Sequence, residues 1–153
     1  MRLYRLARTE FARDLAGTGC VLGGSRWSSP GRAAVFFAQH RSLALCEVLV
    51  HTAGDQRRKH AFSMVQVDLP DRVHLIDALP PARWRTPRIT AHTRIVGDRF
   101  LAEGLAFGLR LPSVIVPQEW NYLLNPSHPA MKELRIVDVE PYDVDERLLP
   151  TAP

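Results

Sequence analysis

Ala33-Ala34-Val35-Phe36-Phe37-Ala38-Gln39-His40-Arg41-Ser42-Leu43-Ala44-Leu45-Cys46-Glu47-Val48-Leu49-Val50-His51 is the stretch that decides how this chain folds. Its first part, Ala33 to Ala38, gathers Val35, Phe36 and Phe37 into a short apolar run and predicts a buried strand. From Arg41 to about His51 the length and composition predict a helix, with Ser42 as its N-terminal cap. Glu47 is the only charged residue between Leu43 and Val50, and a helix apolar on every side is a buried one. Helical spacing puts Leu43, Glu47 and Val50 on one face. A buried carboxylate without a partner is costly, so Glu47 needs a cation, a proton or a pocket. Two readings stay open on this physics: an ion pair with one of the 20 Lys and Arg residues, or a functional carboxylate.

Working outward, Leu3-Tyr4-Arg5-Leu6-Ala7 alternates as a strand does, and residues 17–31, rich in Gly, Ser and Pro, read as loop. Downstream, Ser63 to Leu69 alternates cleanly and is closed by Pro70, and Val73 to Ile76 predicts a further short strand. Residues 89–104 predict a helix with Ile95, Phe100 and Leu101 among its apolar positions. Leu109 to Val116 reads as a strand broken by Pro112, and Leu134 to Val139 as another. Strands and helices mix without a regular βαβ repeat, so the expected fold is α+β: one compact domain over residues 1–153, a mixed sheet with flanking helices. An irregular tail is expected from about Pro141.

With 46% hydrophobic and 24% charged residues, the 153-residue chain has the balance of a soluble globular protein. The net charge of +4 invites a nucleic-acid reading, but the arginines are spread from Arg2 to Arg147. The one dense basic run, Arg57-Arg58-Lys59-His60, reads as a solvated turn. Cys20 and Cys46 form no CxxC pair and no zinc spacing, and read as buried thiols in a reducing compartment. The six histidines form no HExxH or close pair, so no metal is expected. No run approaches the ~18 apolar residues of a membrane span. The opening residues are too charged for a signal peptide, which makes the expected location cytoplasmic.

Besides Glu47, two places could carry chemistry. Gly23-Gly24-Ser25-Arg26-Trp27-Ser28-Ser29-Pro30-Gly31 offers close backbone approach, hydroxyls and the planar donor fork of Arg26, suited to carboxylate or phosphate. It is not a P-loop, and a surface loop with Trp27 tucked into the core explains it equally. Ser113, in Leu111-Pro112-Ser113-Val114-Ile115-Val116-Pro117, is a lone hydroxyl in an apolar strand. Without a GxSxG turn it reads as a binding or satisfied core serine, not a nucleophile. Asn121 to Pro129, with two Asn and a His, reads as a turn-rich stretch.

Taken together and in order, these pieces resemble the RES domain family, named for its Arg, Glu and Ser. LYRLA, the glycine loop with Arg26-Trp27 and Ser29-Pro30-Gly31, AVFF, LCEVLVH, VGDRFLAEG, LRLPSVIVPQEWNYLLNPSHP and DVDERLL carry the resemblance. It implies a toxin with a fold similar to the ADP-ribosyltransferase toxins. It also implies degradation of NAD+ by hydrolysis or phosphorolysis of the nicotinamide–ribose bond, with inorganic phosphate as co-substrate in the second case. NAD+ is the substrate, and no further cofactor is implied. Arg26, Glu47 and Ser113 take the family's three positions, and Arg5 falls on a recurrent N-terminal arginine. On that pattern Glu47 stabilises the ribosyl cation, Arg26 binds the pyrophosphate and Ser113 orients ribose or carboxamide. Phe36 stands where the family usually has tyrosine, keeping an aromatic face for nicotinamide while losing the hydroxyl; Ser25 replaces a frequent third glycine.

The implied partner is an Xre-like helix-turn-helix antitoxin in a hetero-oligomer, with any DNA contact left to that partner. Two alternatives to NAD+ degradation follow: ADP-ribosyl transfer to a cellular protein, or a non-catalytic binding module. Labelled NAD+ separates degradation from transfer, since only a transferase leaves label on a macromolecule.

Overall fold

In a computed structural model, which describes residues 1–51, 61–86 and 91–148, seven strands form one mixed sheet. The strands are β1 (Arg2–Arg8), β2 (Val35–Ala38), β3 (Phe62–Asp68), β4 (Leu75–Asp77), β5 (Gly108–Pro112), β6 (Trp120–Leu124) and β7 (Arg135–Tyr142). Their order is β4-β5-β6-β2-β1-β3-β7, antiparallel throughout except for the parallel pair β4–β5. Among the described residues the α-helices are α1 (Thr18–Gly23), α2 (Arg41–His51) and α3 (Ala91–Glu103). The α+β expectation holds.

The alternation along the strands sorts the core to the two sides of the sheet. One face carries Leu3, Val35, Phe37, Val65, Val67, Tyr122 and Leu124, covered by Ala12 and Leu15 from the segment after β1. The other is covered by two helices. Leu43 and Ala44 of α2 pack on Leu6, Ala38 and Met64. Phe100 of α3, with Trp27, packs on Leu109, Leu111 and Leu123.

Several boundaries differ from expectation, each for a physical reason. The 17–31 loop contains α1, because the Asp14 carboxylate accepts hydrogen bonds from the Ala16 and Thr18 amides and organises the chain entering it. Gly17 takes a φ of 75°, and a Cβ there would lie 2.6 Å from the Ala34 nitrogen. Strand β5 stops at Pro112, where Ser113 Oγ accepts from the Ile115 and Val116 amides and turns the chain back into β6. Strand β6 occupies part of what reads as turn-rich sequence, its Asn and Tyr sitting between two hydrogen-bonded neighbours. Helix α2 begins at Arg41, ahead of the expected Ser42 cap. Strand β7 runs through Pro141 to Tyr142 before the tail; Pro is tolerated because β7 is an edge strand. The basic run 57–60, the first two residues of the 89–104 helix and the last five of the chain lie outside the described residues.

Helix α3 buries Thr93, Gly97 and Phe100, and Ile95 is 66% exposed, contrary to expectation. It ends at Gly104, whose φ of 63° suits a glycine and whose amide reaches the Phe100 carbonyl. Gly97 is the point of closest approach: a Cβ there would overlap the carbonyl of Trp27. We expect Gly97→Ala to destabilise the protein by about 1–3 kcal/mol through overpacking, read as a lower urea midpoint; an unchanged midpoint would contradict the tight fit.

Candidate active site

Strands β1 and β2 are joined by one residue pair, Tyr4 with Ala38. The residues that would continue this ladder, Arg5 and Leu6 on β1 and Phe37, Phe36 and Val35 on β2, line a cavity of about 520 Å³ instead. The sheet parts there, and α1, the 24–27 turn, α2, Asn121 and the 112–115 turn close the opening. A cavity of this size is in the range of small-molecule sites.

Glu47 reaches this cavity from α2. The helix is not buried all round: Val50 is 63% exposed and the Glu47 side chain 26%. No lysine or arginine pairs with Glu47 among the described residues. Its partners are neutral donors and a histidine. Asn121 Nδ2 donates to Glu47 Oε1 at 2.6 Å, and Ser113 Oγ donates to the same oxygen at 3.3 Å. His51, one helical turn on, places Nε2 at 3.4 Å from Oε2. The Arg41 guanidinium lies over the Tyr4 ring at 4.6 Å and ties the start of α2 to β1.

Arg26 lines the same cavity from the turn after α1. Its guanidinium donates to the carbonyls of Trp84, at 3.1 Å, and Thr86, at 3.4 Å. Helix α3 holds this turn from below through four residues. Thr93 Oγ1 donates to the Arg26 carbonyl, Arg94 Nε to that of Ser25, and the Asp98 carboxylate accepts from both the amide and the hydroxyl of Ser29. Gly97 admits Trp27, which is buried against Trp84 with ring centroids 6.1 Å apart. Ser25 Oγ accepts from the Trp27 and Ser28 amides, so this serine shapes the turn.

Arg5 faces the cavity from β1 and donates to the carbonyls of Asp14, at 2.8 Å, and Phe11, at 3.1 Å. Burial pulls its guanidinium below the ordinary arginine range, opposed by the nearby Asp14. Neither Arg5 nor Arg26 forms an ion pair with a carboxylate among the described residues. The two bring positive charge to a partly enclosed space, with Asp14 near Arg5.

Arg5, Arg26, Phe36 and Glu47 are thus brought together around one cavity. Ser113 is not. It is fully buried behind Glu47, its oxygen accepting from two backbone amides and its proton turned to the carboxylate. Asn121 is the residue that sequence reasoning assigned to a turn and that the fold brings to the site. The signal for it was the unpartnered Glu47, but nothing in the sequence said which donor would answer. Cys20 and Cys46 are free and half-buried, not fully buried as expected. Among the described residues no three metal-ligating side chains cluster.

A sheet whose β1 and β2 meet at one residue pair and part over a cavity with a held carboxylate and two guanidiniums defines a small α+β fold with a charged cavity, and comparison with known proteins gives its family. The RES domain model matches residues 2–145, so the chain belongs to the RES domain family. It is 36% identical to Toxin Res of Photorhabdus laumondii, over 97% of each chain. It is 37% identical to Toxin Res of Pseudomonas putida, over 94% of this chain and 98% of that one. A Prs ADP-ribosylating toxin of Sphingobium is 32% identical over 97% and 94%. A similar fold occurs in the crystal structure of the M. tuberculosis MbcT–MbcA toxin–antitoxin complex, with a TM-score of 0.71 and 17% identity over 92% of this chain and 83% of that one.

The cavity wall also carries Cys20, whose thiol burial pushes up, with the Ser28 hydrogen bond and the Arg5 charge opposing. A raised thiol holds less thiolate at any given pH. We expect Cys20, in a Cys46→Ser background, to react with iodoacetamide at about pH 8 more slowly than in the urea-unfolded chain. Equal rates would rule out the buried environment.

Proposed function

We propose that this chain is the toxin of a toxin–antitoxin pair and consumes NAD+ by cleaving the bond between nicotinamide and ribose. The observation that carries the reading is Glu47, a carboxylate held by neutral donors and facing the same cavity as two guanidiniums that have no carboxylate partner among the described residues. A pocket of that charge pattern suits a ligand with an anionic middle and an end that becomes cationic. NAD+ has both: a pyrophosphate and a ribose that turns oxocarbenium-like as nicotinamide departs.

In this reading the C1′–N bond breaks, and its electron pair leaves with the nicotinamide nitrogen, neutralising the pyridinium. Positive charge develops on the ribose, and Glu47 stabilises it and holds the ribose hydroxyls. Water then adds to C1′ and releases a proton, giving ADP-ribose; inorganic phosphate adding instead gives ADP-ribose that carries a phosphate on C1′. Arg26 and Arg5 bind the pyrophosphate through charge-assisted hydrogen bonds. Phe36, exposed to the cavity, offers the nicotinamide an aromatic face. Ser113 acts one step back, through its contact with Glu47.

A second reading, transfer of ADP-ribose to a protein, is favoured by the name of the Sphingobium relative. The same bond breaks in both, and only the acceptor differs. An antitoxin partner, of helix-turn-helix type, is part of the proposal; support comes from relatives named as toxins and from the toxin–antitoxin complex with the similar fold.

We expect the purified chain to consume NAD+, and Glu47→Gln to keep its fold while losing activity by at least about a hundredfold. Phosphate dependence of the wild-type rate separates phosphorolysis from hydrolysis, and tagged NAD+ that labels a protein identifies the transferase. A folded Glu47→Gln variant with full activity would sink the assignment.

A further inference from the structure

The two oxygens of Glu47 have different surroundings. Oε1 accepts from Asn121 Nδ2 at 2.6 Å and from Ser113 Oγ at 3.3 Å, whereas the neighbour of Oε2 is His51, a residue of the cavity wall that is itself exposed. Asn121 sits in β6 with Ala38 of β2 opposite it on one side and Leu111 of β5 on the other, so its backbone is fixed from both sides. The Ser113 hydroxyl is the longer contact, and its oxygen is already engaged by two amides. Helix α2, by contrast, is covered on one side alone, and its last turn, Val50 and His51, is exposed. A glutamate there has free side-chain torsions to lose, and a short hydrogen bond from a rigid strand removes them.

We infer that Asn121 is the positioning residue of this site: it ties down Oε1 and thereby makes Oε2 the oxygen that Glu47 presents to the ligand. This rests on the reading of Glu47 as the carboxylate that stabilises the ribosyl cation. Asn121 acts through Glu47 and not on the substrate, so its removal weakens a contact that matters most when charge has developed. The turnover number then falls while substrate affinity stays.

Two measurements test this on the intact chain. Asn121→Leu keeps the branched shape of the side chain and removes the donor. We expect kcat for NAD+ to fall about tenfold to a hundredfold, the worth of one hydrogen bond to a charged group, with KM within about twofold of wild type. Should that variant fail to fold, by thermal unfolding, Asn121→Ser is the replacement, being too short to reach Oε1. The second measurement needs no turnover. In the nitrogen NMR spectrum of the ligand-free protein, the side-chain amide protons of Asn121, identified by their loss in the variant, shift when Glu47 is changed to Gln. An unchanged kcat, a rise confined to KM, or amide protons that ignore Glu47→Gln would each overturn the inference. If the wild-type chain consumes no NAD+, the proposed reaction fails, and the amide spectrum still decides whether Asn121 holds Glu47.

Discussion

Everything at the site depends on β1 and β2 meeting at one residue pair and then parting. Strand pairing is the most economical use of two neighbouring backbones, because buried amides and carbonyls need partners. Here β1 spends its ladder on β3, with seven paired residues, and β2 spends its own on β6, with four. Each strand is therefore secured from its outer side, and the inner side is free to open. The opening puts consecutive residues of both strands onto a shared wall, and this is how Arg5, Phe36 and Phe37 come to line the same cavity as Glu47.

Such an opening must be roofed, and the roof is built from loops that need their own support. The turn carrying Arg26 has few apolar contacts beyond Trp27, and it is held by polar groups on one helix. Thr93, Gly97 and Asp98 lie on neighbouring positions of α3, so one rigid element sets the backbone of Ser25, Arg26, Trp27 and Ser29 at once. Burial of Phe100 and Trp27 beneath it fixes the helix to the sheet. The guanidinium of Arg26 is then aimed by two carbonyls, which orient it without neutralising its charge. Arg5 is treated in the same way by the carbonyls of Asp14 and Phe11. Carbonyl partners orient both guanidiniums without cancelling their charge.

Glu47 follows the complementary rule. A cationic partner in contact would stabilise the carboxylate and also cancel it. Amide and hydroxyl donors satisfy one oxygen while leaving the net negative charge in place. The site thus keeps charges of both signs in one enclosure on different elements: β1 and the turn after α1 carry Arg5 and Arg26, α2 carries Glu47, and Asp14 lies near Arg5.

How much of this could be read in advance divides along a physical line. Local pattern was sufficient where one element's own residues decide the outcome. The alternation of Leu3 to Ala7 and Ser63 to Leu69, the apolar run at Val35 to Phe37 and the helix through Glu47 all formed as their periods require. So did the demand that a lone carboxylate in an apolar helix must have an answer, and the ordered motifs gave the family. What the chain could not announce was anything set by contacts between distant residues. Asn121 lies 74 positions from Glu47, in a segment whose composition favours turns, and it became a strand residue because β2 and β5 bracket it. Ser113 reads in sequence as a binding hydroxyl or a satisfied core serine; it is buried, and the turn at its own position uses its oxygen. The cavity itself has no local signature. It exists because β1 and β2 each pair more extensively with another neighbour than with each other, a comparison made only when the whole sheet is assembled.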